Sequence, residues 1–312
     1  MASSRSGLKN LPFYKDARQA RNALVIYHKL RPFLVNRFVV APRLARHDGP
    51  LDRPVDTERY TIHMLSCHDD VLAMIWSLAS WQAFAQDSAQ VVIHEDGTFT
   101  AGDRAAVARL FPRARIIDRA ASDRMARQDW LKDFPAALSR RFDRRSAYAI
   151  KLMDPLFSSQ TPGVLIMDPD VLWFGTPSAL HARIAQYQGA VFWPSSGEPT
   201  RQPFRDGSEL RLDLAALNSG IVYFERAAFS LAMLDEYCAR LPDDWKTLDQ
   251  PAFAYVLGMN QPVSTLPVEQ YHIHGAAHAG TLGKHYTSPR REQFWFEGVA
   301  RLSKSSEFKA PR

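Results

Sequence analysis

From residue 60 onward, short apolar runs alternate with amphipathic stretches. The apolar runs that predict strands cover 60–67, 90–94, 114–118 and 163–167. Between them, apolar residues recur at helical spacing over 70–84, 101–110 and 145–158. Later runs predict strands at 190–193 and 220–224 and helices near 227–241 and 249–258. Strands that alternate with helices across short loops favour an α/β fold, with a mostly parallel sheet flanked by helices.

Residues 1–58 differ in character from the α/β region that follows. A basic amphipathic stretch covers 11–40, and 47–58 is rich in proline, glycine and aspartate, as linkers are. The sequence therefore predicts two parts. The first is a basic, helical N-terminal segment with its linker over 1–58, and the second is one α/β domain over 59–312.

Positive charge is concentrated in the N-terminal segment. Residues 1–47 contain ten lysines and arginines against one acid, Asp16, whereas the remaining residues carry a net charge of −3. A mildly acidic main body argues against a nucleic-acid-binding protein. Two interpretations of 11–40 stay open: it docks on an anionic membrane surface, or it packs on the body of the protein with its charges in solvent.

Composition narrows the class of protein further. The 312 residues are 46% hydrophobic and 11% aromatic, which suffices for a packed core and excludes a mainly disordered chain. No run approaches 18 apolar residues, the first residues lack the apolar core of a secretory signal, and two cysteines cannot form a disulfide framework. We expect a cytoplasmic protein whose membrane contact is at most peripheral, on the inner face of a membrane.

The sharpest chemical signal follows the most apolar of the predicted strands. Asp168 and Asp170 come directly after 163–167, one residue apart. Ligands of open α/β sheets collect at the carboxyl ends of strands, and two carboxylates there repel each other unless a cation separates them. Mg²⁺ or Mn²⁺ can bridge such a pair to a diphosphate. The alternative is that Asp-Pro-Asp forms a turn with two solvated acids.

An Asp-Pro-Asp tripeptide after an apolar strand resembles the Asp-x-Asp motif of GT-A glycosyltransferases, which binds a metal and a nucleotide-sugar. Within that fold, the chain is similar to the galactosyltransferase/glycogenin-like family over about 60–290. Lys151 stands 17 residues before Asp168, where the family carries a basic residue for the donor. Asn218 begins an Asn-Ser-Gly strand like the one that lines the family's sugar pocket. Asp249 and Gln250 resemble the family's Asp-Gln pair near the reacting sugar.

The same family carries a metal-binding histidine, followed six residues later by a lysine on the diphosphate and then by Pro-Trp. His278 and Lys284 have that spacing, although Pro-Trp does not follow. The resemblance therefore implies that His278 completes the metal site, with His274 and His272 as alternatives. A neutral imidazole can complete the shell of a divalent cation, and a lysine can neutralise a departing diphosphate.

Two more residues are assigned to the donor through this resemblance. Asp69 follows the first predicted strand, where the fold holds the base and ribose, and its carboxylate can accept from a ribose hydroxyl or a uracil N–H. The alternative is that Asp69 or Asp70 caps the next helix. Gly283 would let the backbone approach a phosphate closely.

The resemblance implies a hexosyltransferase that moves a sugar from a nucleotide-sugar, a UDP-sugar by preference, to a glycan, lipid or protein acceptor. Configuration would be retained, and polysaccharide biosynthesis is the expected setting. A Mn²⁺ or Mg²⁺ ion would be held by Asp168, Asp170 and His278. The donor would contact Lys151, Lys284, Asp69, Asp168 and Gly283. The sugar would be oriented by Asn218, Asp249 and Gln250.

Two alternatives remain from other classes. An apolar strand followed by Asp-x-Asp also opens haloacid-dehalogenase-like phosphatases, in which the first aspartate is phosphorylated. That motif should sit on the first strand of its domain, whereas Asp168 follows several α/β units. The other alternative is an inactive transferase fold that binds a sugar or a partner, but such a module has no need to keep metal-binding residues.

Overall fold

The computed structural model describes residues 14–143, 147–186, 189–195, 201–211, 217–243 and 249–308. The strands are β1 Tyr60–Ser66, β2 Gln90–Glu95, β3 Arg115–Ile117, β4 Gly163–Met167, β5 Val171–Trp173, β6 Ala190–Pro194, β7 Arg201–Pro203, β8 Glu209–Arg211, β9 Leu217–Glu225, β10 Val263–Thr265, β11 Tyr271–His272 and β12 Gly283–His285.

The α-helices are α1 Tyr14–Val25, α2 Leu30–Val35, α3 Ala41–Ala45, α4 Val71–Phe84, α5 Ala101–Leu110, α6 Arg119–Met125, α7 Pro135–Arg141, α8 Tyr148–Ser158, α9 Ser178–Gln186, α10 Leu231–Arg240, α11 Asp249–Gly258 and α12 Ala300–Leu302. Residues His68–Asp70 and Arg226–Ala228 form 3₁₀ turns. Residues Asn36–Val40, Ala126–Trp130 and Phe294–Val299 are π-helical.

The central sheet has seven strands in the order β10-β6-β9-β4-β1-β2-β3. Strand β9 runs antiparallel to both of its neighbours, and the other adjacent pairs are parallel. Helices cover both faces of this sheet, so alternate side chains of β4 enter two different apolar clusters: Leu165 and Met167 on one face, Val164 and Ile166 on the other. The predicted α/β fold with a mostly parallel sheet is confirmed.

A second, three-stranded sheet in the order β11-β12-β5 positions the candidate site. After β4 the chain turns through Asp168–170 and continues as β5, which pairs antiparallel with β12, so that Val171 lies opposite His285. The indole of Trp173 packs edge-on against Trp193 and Tyr271 beneath this sheet. This pairing brings the C-terminal histidine region to the carboxyl end of β4.

The N-terminal helices pack on the body of the protein. The Trp76 indole on α4 donates to the carbonyl of Ala41 at 3.2 Å, and the Trp295 indole donates to Gln19 at 3.0 Å. Arg37 lies over the Trp295 ring at 4.7 Å. Because β5 and α3 cover α4 from two sides, nearly every residue of α4 is buried. The predicted division of the chain at residue 58 stays a prediction.

Among the described residues, no helix combines the length and the apolar character that crossing a bilayer requires. The longest single α-helix of the described part of the chain, α4, has 14 residues, short of the roughly 20 that span a hydrocarbon core.

Candidate metal and nucleotide site

Two carboxylates and an imidazole converge at the carboxyl end of β4. The Asp168 N–H donates to the Gly220 carbonyl at 2.9 Å, and the Val171 N–H donates to the Asp168 carbonyl at 3.2 Å, so a tight turn carries Asp168 and Asp170 from one sheet to the other. At this turn, one ligand atom each from Asp168, Asp170 and His285 of the neighbouring strand β12 lies within 4.8 Å of the others. Such a group of two carboxylates and one imidazole suits a divalent cation.

The His285 ring is held in one orientation by Asn218. Its Nδ1 lies 2.8 Å from Asn218 Oδ1, an oxygen that also accepts from the Gly220 N–H at 2.8 Å. Because that amide oxygen can only accept, Nδ1 carries a proton. Nε2, the other ring nitrogen, then points at the carboxylates, 3.1 Å from Asp170 Oδ1 and 3.6 Å from Asp168 Oδ2. An outer hydrogen bond of this kind orients metal-binding histidines.

Gly220 makes the close approach of that imidazole feasible. A Cβ at this position would lie 2.3 Å from His285 Nδ1 and 2.9 Å from Asn218 Oδ1. Side chains alternate along a strand, so Asn218 and Gly220 face His285 while Ser219 faces the opposite way. The Asn-Ser-Gly sequence of β9 therefore supports the histidine from one face.

Two cations hold the carboxylates, the half-buried Arg291 and the buried Lys151. Arg291 Nε lies 2.9 Å from Asp170 Oδ2, and Lys151 Nζ lies 2.7 Å from Asp168 Oδ1 and 3.0 Å from Asp249 Oδ2. Burial alone would raise the pKa of Asp170, but the charges of Arg291 and His285 lower it below its usual value. Burial would lower the pKa of Lys151, but the two aspartates hold it above its usual value. Asp170 is therefore an anion at neutral pH, ready to bind a cation.

The residues assigned to the sugar lie behind this site. Ser219 Oγ donates to Asp249 Oδ2 at 2.8 Å, and Gln250 Oε1 accepts from the Ser219 N–H at 3.3 Å and from Asn218 Nδ2 at 3.4 Å. Asp249 is buried at the start of α11 and reaches Asp168 through Lys151. Asn218, Asp249 and Gln250 thus form one connected group next to the acidic pair.

A cavity of about 420 Å³ opens above the acidic pair. Asp168, Asp170 and His285 form one wall, and Cys67, Asp70 and Tyr148 lie among the residues of the others. This size is in the range that accepts a nucleotide or drug-sized ligand. Burial and the nearby Asp70 raise the pKa of the Cys67 thiol to about 12, so this side chain is a neutral part of the wall.

At the end of β1, the aspartate that lines the cavity is Asp70. Its carboxylate accepts from Arg291 Nη2 at 3.0 Å and from Lys15, while Asp69 is exposed. Asp70 stands at the N-cap of α4, yet its side chain makes no capping bond. Asp70 thus binds both Lys15 and Arg291 at the edge of the cavity.

The sequence assigned Lys284 to the diphosphate, but the structure turns it away from the cavity. Successive residues of β12 face opposite sides, and Lys284 Nζ contacts Glu297 at 2.6 Å, the Gly275 carbonyl at 2.7 Å and Gln293 at 3.1 Å. Gly283 packs under the indoles of Trp193 and Trp173, where a Cβ would approach within 2.8 Å and 3.3 Å.

The three histidines that were expected at the metal lie elsewhere. His278 Nδ1 accepts from the Gly280 N–H at 3.1 Å, and its ring packs edge-on against His272 with 4.9 Å between centroids. His274 Nδ1 lies 2.7 Å from Arg290. The structure brings Asp168 and Asp170 together with His285 instead.

A signal for His285 was present in the sequence. Arg291 follows His285 by six residues, the same spacing that links His278 to Lys284. The motif of a histidine with a basic residue six positions later therefore fits the sequence in two registers, His278 with Lys284 and His285 with Arg291. In the second register Arg291 supplies the positive charge where the family has a lysine. Only the pairing of β12 with β5 selects the second register.

No protein-family model matches the sequence, and no curated protein matches it. Among solved structures, the bifunctional glycosyltransferase WbbM has a TM-score of 0.51 and 13% identity, over 80% of this chain and 50% of that one. An active-site mutant of LgtC has a TM-score of 0.49 and 16% identity, over 73% of this chain and 88% of that one. Mouse xyloside xylosyltransferase 1 has a TM-score of 0.48 and 11% identity, over 75% of this chain and 99% of that one.

The likeness to WbbM shows the fold of this chain, which spans half the length of that glycosyltransferase. The predicted GT-A glycosyltransferase fold is confirmed. At 13% identity the likeness shows the fold alone.

Proposed function

We propose that this protein is a metal-dependent glycosyltransferase that moves a hexose from a nucleotide-sugar, a UDP-sugar by preference, to a glycan, lipid or protein acceptor. The observation that carries the proposal is the convergence of Asp168, Asp170 and His285 at the carboxyl end of β4, beside a nucleotide-sized cavity. Retention of configuration and a place in polysaccharide biosynthesis belong to the same proposal and rest on the resemblance of the motifs.

The side chains at the acidic pair fit Mn²⁺ or Mg²⁺. Asp168 and Asp170 offer hard oxygen ligands, and Asn218 fixes the His285 tautomer that presents Nε2 to them. The bound ion would tie the donor diphosphate to the protein and stabilise negative charge on the departing nucleoside diphosphate.

Two cations of the chain would also stabilise the negative charge of the departing diphosphate. Arg291 lies between Asp70 and Asp170 at the cavity, where its guanidinium would donate to a diphosphate oxygen. Lys151 holds Asp168 and Asp249 in fixed positions beside the cavity, and its charge lowers the pKa of Asp249 below its usual value. Positive groups that are already in place need no reorganisation when the leaving group gains charge.

The neighbouring polar group would orient the sugar. Asn218, Asp249 and Gln250 are connected to one another and to the metal ligands by the hydrogen bonds described above. Asp70 and Tyr148 also line the cavity and would contact the nucleoside.

The release of UDP from UDP-hexoses, with Mn²⁺ or with EDTA, tests this proposal. We expect Mn²⁺-dependent release that His285→Ala abolishes and His278→Ala, an exposed histidine from the other register, leaves intact. The assay should be repeated with other nucleotide-sugars. Release that persists in EDTA, loss of release in His278→Ala alone, or no release from any nucleotide-sugar would contradict it.

A further inference from the structure

The N-terminal layer, residues 14–46, has an unusual outer surface. Seven large apolar side chains of this layer are between 41% and 60% exposed. They are Leu24, Val25, Ile26, Leu34, Val35, Phe38 and Val39. Outside the layer, the large apolar residues exposed to this degree lie scattered along the described chain. A contiguous exposed apolar surface marks a site of interaction with a protein or a membrane.

Helical spacing places most of these side chains on one face. From Leu30 to Ala45 the chain is helical without a break, through α2, the π-helical segment and α3. Leu34, Val35, Phe38 and Val39 recur at the spacing of one helix face, whereas Phe33, Ala41 and Leu44 are buried on the opposite face. A surface helix ordinarily carries polar residues on its outer side, so this helix has one apolar face more than the fold requires.

Exposed cations lie in the same layer as these apolar side chains. They are Arg18, Arg21, Lys29, Arg31, Arg43 and Arg46, and none of them has an acidic partner within 4.0 Å in the described part of the chain. The two cations that turn inward are paired, Lys15 with Asp70 and Arg37 with Asp16. Asp16 is also the one acid among residues 1–47. The outer face therefore combines exposed apolar side chains with unpaired positive charges.

We propose that the outer face of the N-terminal layer docks on an anionic lipid bilayer. Its apolar side chains would enter the boundary between headgroups and acyl chains, and its arginines and lysines would contact the lipid phosphates. The charge decides the occupant. Two copies of this face would bring their unpaired cations together and repel each other, whereas an anionic surface complements them.

Sedimentation of the full-length protein with phosphatidylcholine vesicles, with and without phosphatidylglycerol, tests the proposal. We expect binding to the anionic vesicles that added salt weakens, and roughly tenfold weaker binding for Phe38→Asn with Val39→Asn. The matched control is Met259→Asn with Val268→Asn. Their side chains are 63% and 50% exposed outside the layer, and this variant should bind like the parent.

A second variant, Arg31→Gln with Arg43→Gln, guards against misfolding of the first, because both arginines are exposed and unpaired. It should weaken binding to anionic vesicles without lowering the midpoint of thermal unfolding. Equal binding of parent and both variants, or equal binding to neutral vesicles, would overturn the proposal. So would a concentration-dependent dimer that the Phe38 variant abolishes while no vesicle binding occurs. UDP release from a soluble donor should be unchanged in these variants, so the proposed function is tested separately.

Discussion

Gly220→Ala separates a metal-binding His285 from a merely structural one. The added Cβ would lie 2.3 Å from Nδ1 and 2.6 Å from Cε1 of His285, against about 3.5 Å for unstrained contact. The ring or the strand must therefore move by about 1 Å. Metal–ligand distances tolerate only about 0.2 Å, so the imidazole would leave the coordination shell.

Two effects of different size follow from that displacement. Overpacking should lower the free energy of unfolding by about 1 to 3 kcal/mol. Disturbing a metal ligand through its support should weaken Mn²⁺ affinity about 10- to 100-fold. Calorimetric titration of metal-stripped protein with Mn²⁺, in the presence of UDP, measures the second effect, and urea unfolding measures the first.

Gly163→Ala is the matched control, because it overpacks the same sheet away from the site. Its Cβ would lie 2.7 Å from the Arg59 carbonyl oxygen, so it should lose stability and keep its Mn²⁺ affinity. Combining Gly220→Ala with His285→Ala should weaken Mn²⁺ binding no further than His285→Ala alone does, since both changes remove the same ligand, the His285 imidazole. If Gly220→Ala binds Mn²⁺ as tightly as Gly163→Ala, His285 is not a ligand.

Further predictions concern the cations and the thiol of the site. Arg291→Met should weaken UDP binding at least about tenfold, because a charged hydrogen bond to the diphosphate is lost. Lys284→Met should leave UDP affinity unchanged, as measured by titration. It should lower the free energy of unfolding in urea by roughly 3 kcal/mol, since the Glu297 carboxylate loses its partner. Weaker UDP binding with unchanged stability would instead favour His278 and Lys284 as the metal and diphosphate residues. The pKa of Cys67 is about 12, so the thiolate forms only as the pH approaches that value. Alkylation of Cys67, followed by peptide mass spectrometry, should be slow at about pH 8 and still accelerate between about pH 10 and 11, and a plateau that begins near about pH 10 would show an unperturbed thiol.

The elements that were predicted from sequence are those with strong local signals. The helix over 101–110 begins where Thr100 and Asp103 form a reciprocal capping box, and Gly163–Met167 is a run of buried apolar residues. Such signals involve residues that are close in the sequence, so they predict an element without knowledge of its tertiary contacts.

The elements that were missed depend on contacts between distant parts of the chain. Strand β12 consists of Gly283, Lys284 and His285, which carry no strand pattern and form a strand because they pair with β5. Four histidines lie between 272 and 285, and spacing alone allows two registers of the metal motif. The α/β architecture and the acidic pair could therefore be predicted, whereas the third ligand needed the second sheet.

The sequence predicted only part of the proposed membrane-docking surface. The stretch over 11–40 is basic and amphipathic, a pattern consistent both with docking on a membrane and with packing on the body of the protein. The structure shows that the helix over 30–45 packs through Phe33 and Leu44 and still exposes Phe38 and Val39. The two interpretations are compatible because the helix is apolar on both faces.

The central claim is that Asp168, Asp170 and His285 hold a divalent cation that binds a nucleoside diphosphate. The most direct measurement is the thermal stability of the parent protein and of Asp170→Asn with UDP, with Mn²⁺ and with both. For the parent, both ligands together at about 100 times their Kd should add roughly 2.7 kcal/mol, well above either alone. Asp170→Asn should remain folded and lose this joint stabilisation. Mn²⁺-dependent UDP binding that persists in Asp170→Asn would contradict the account.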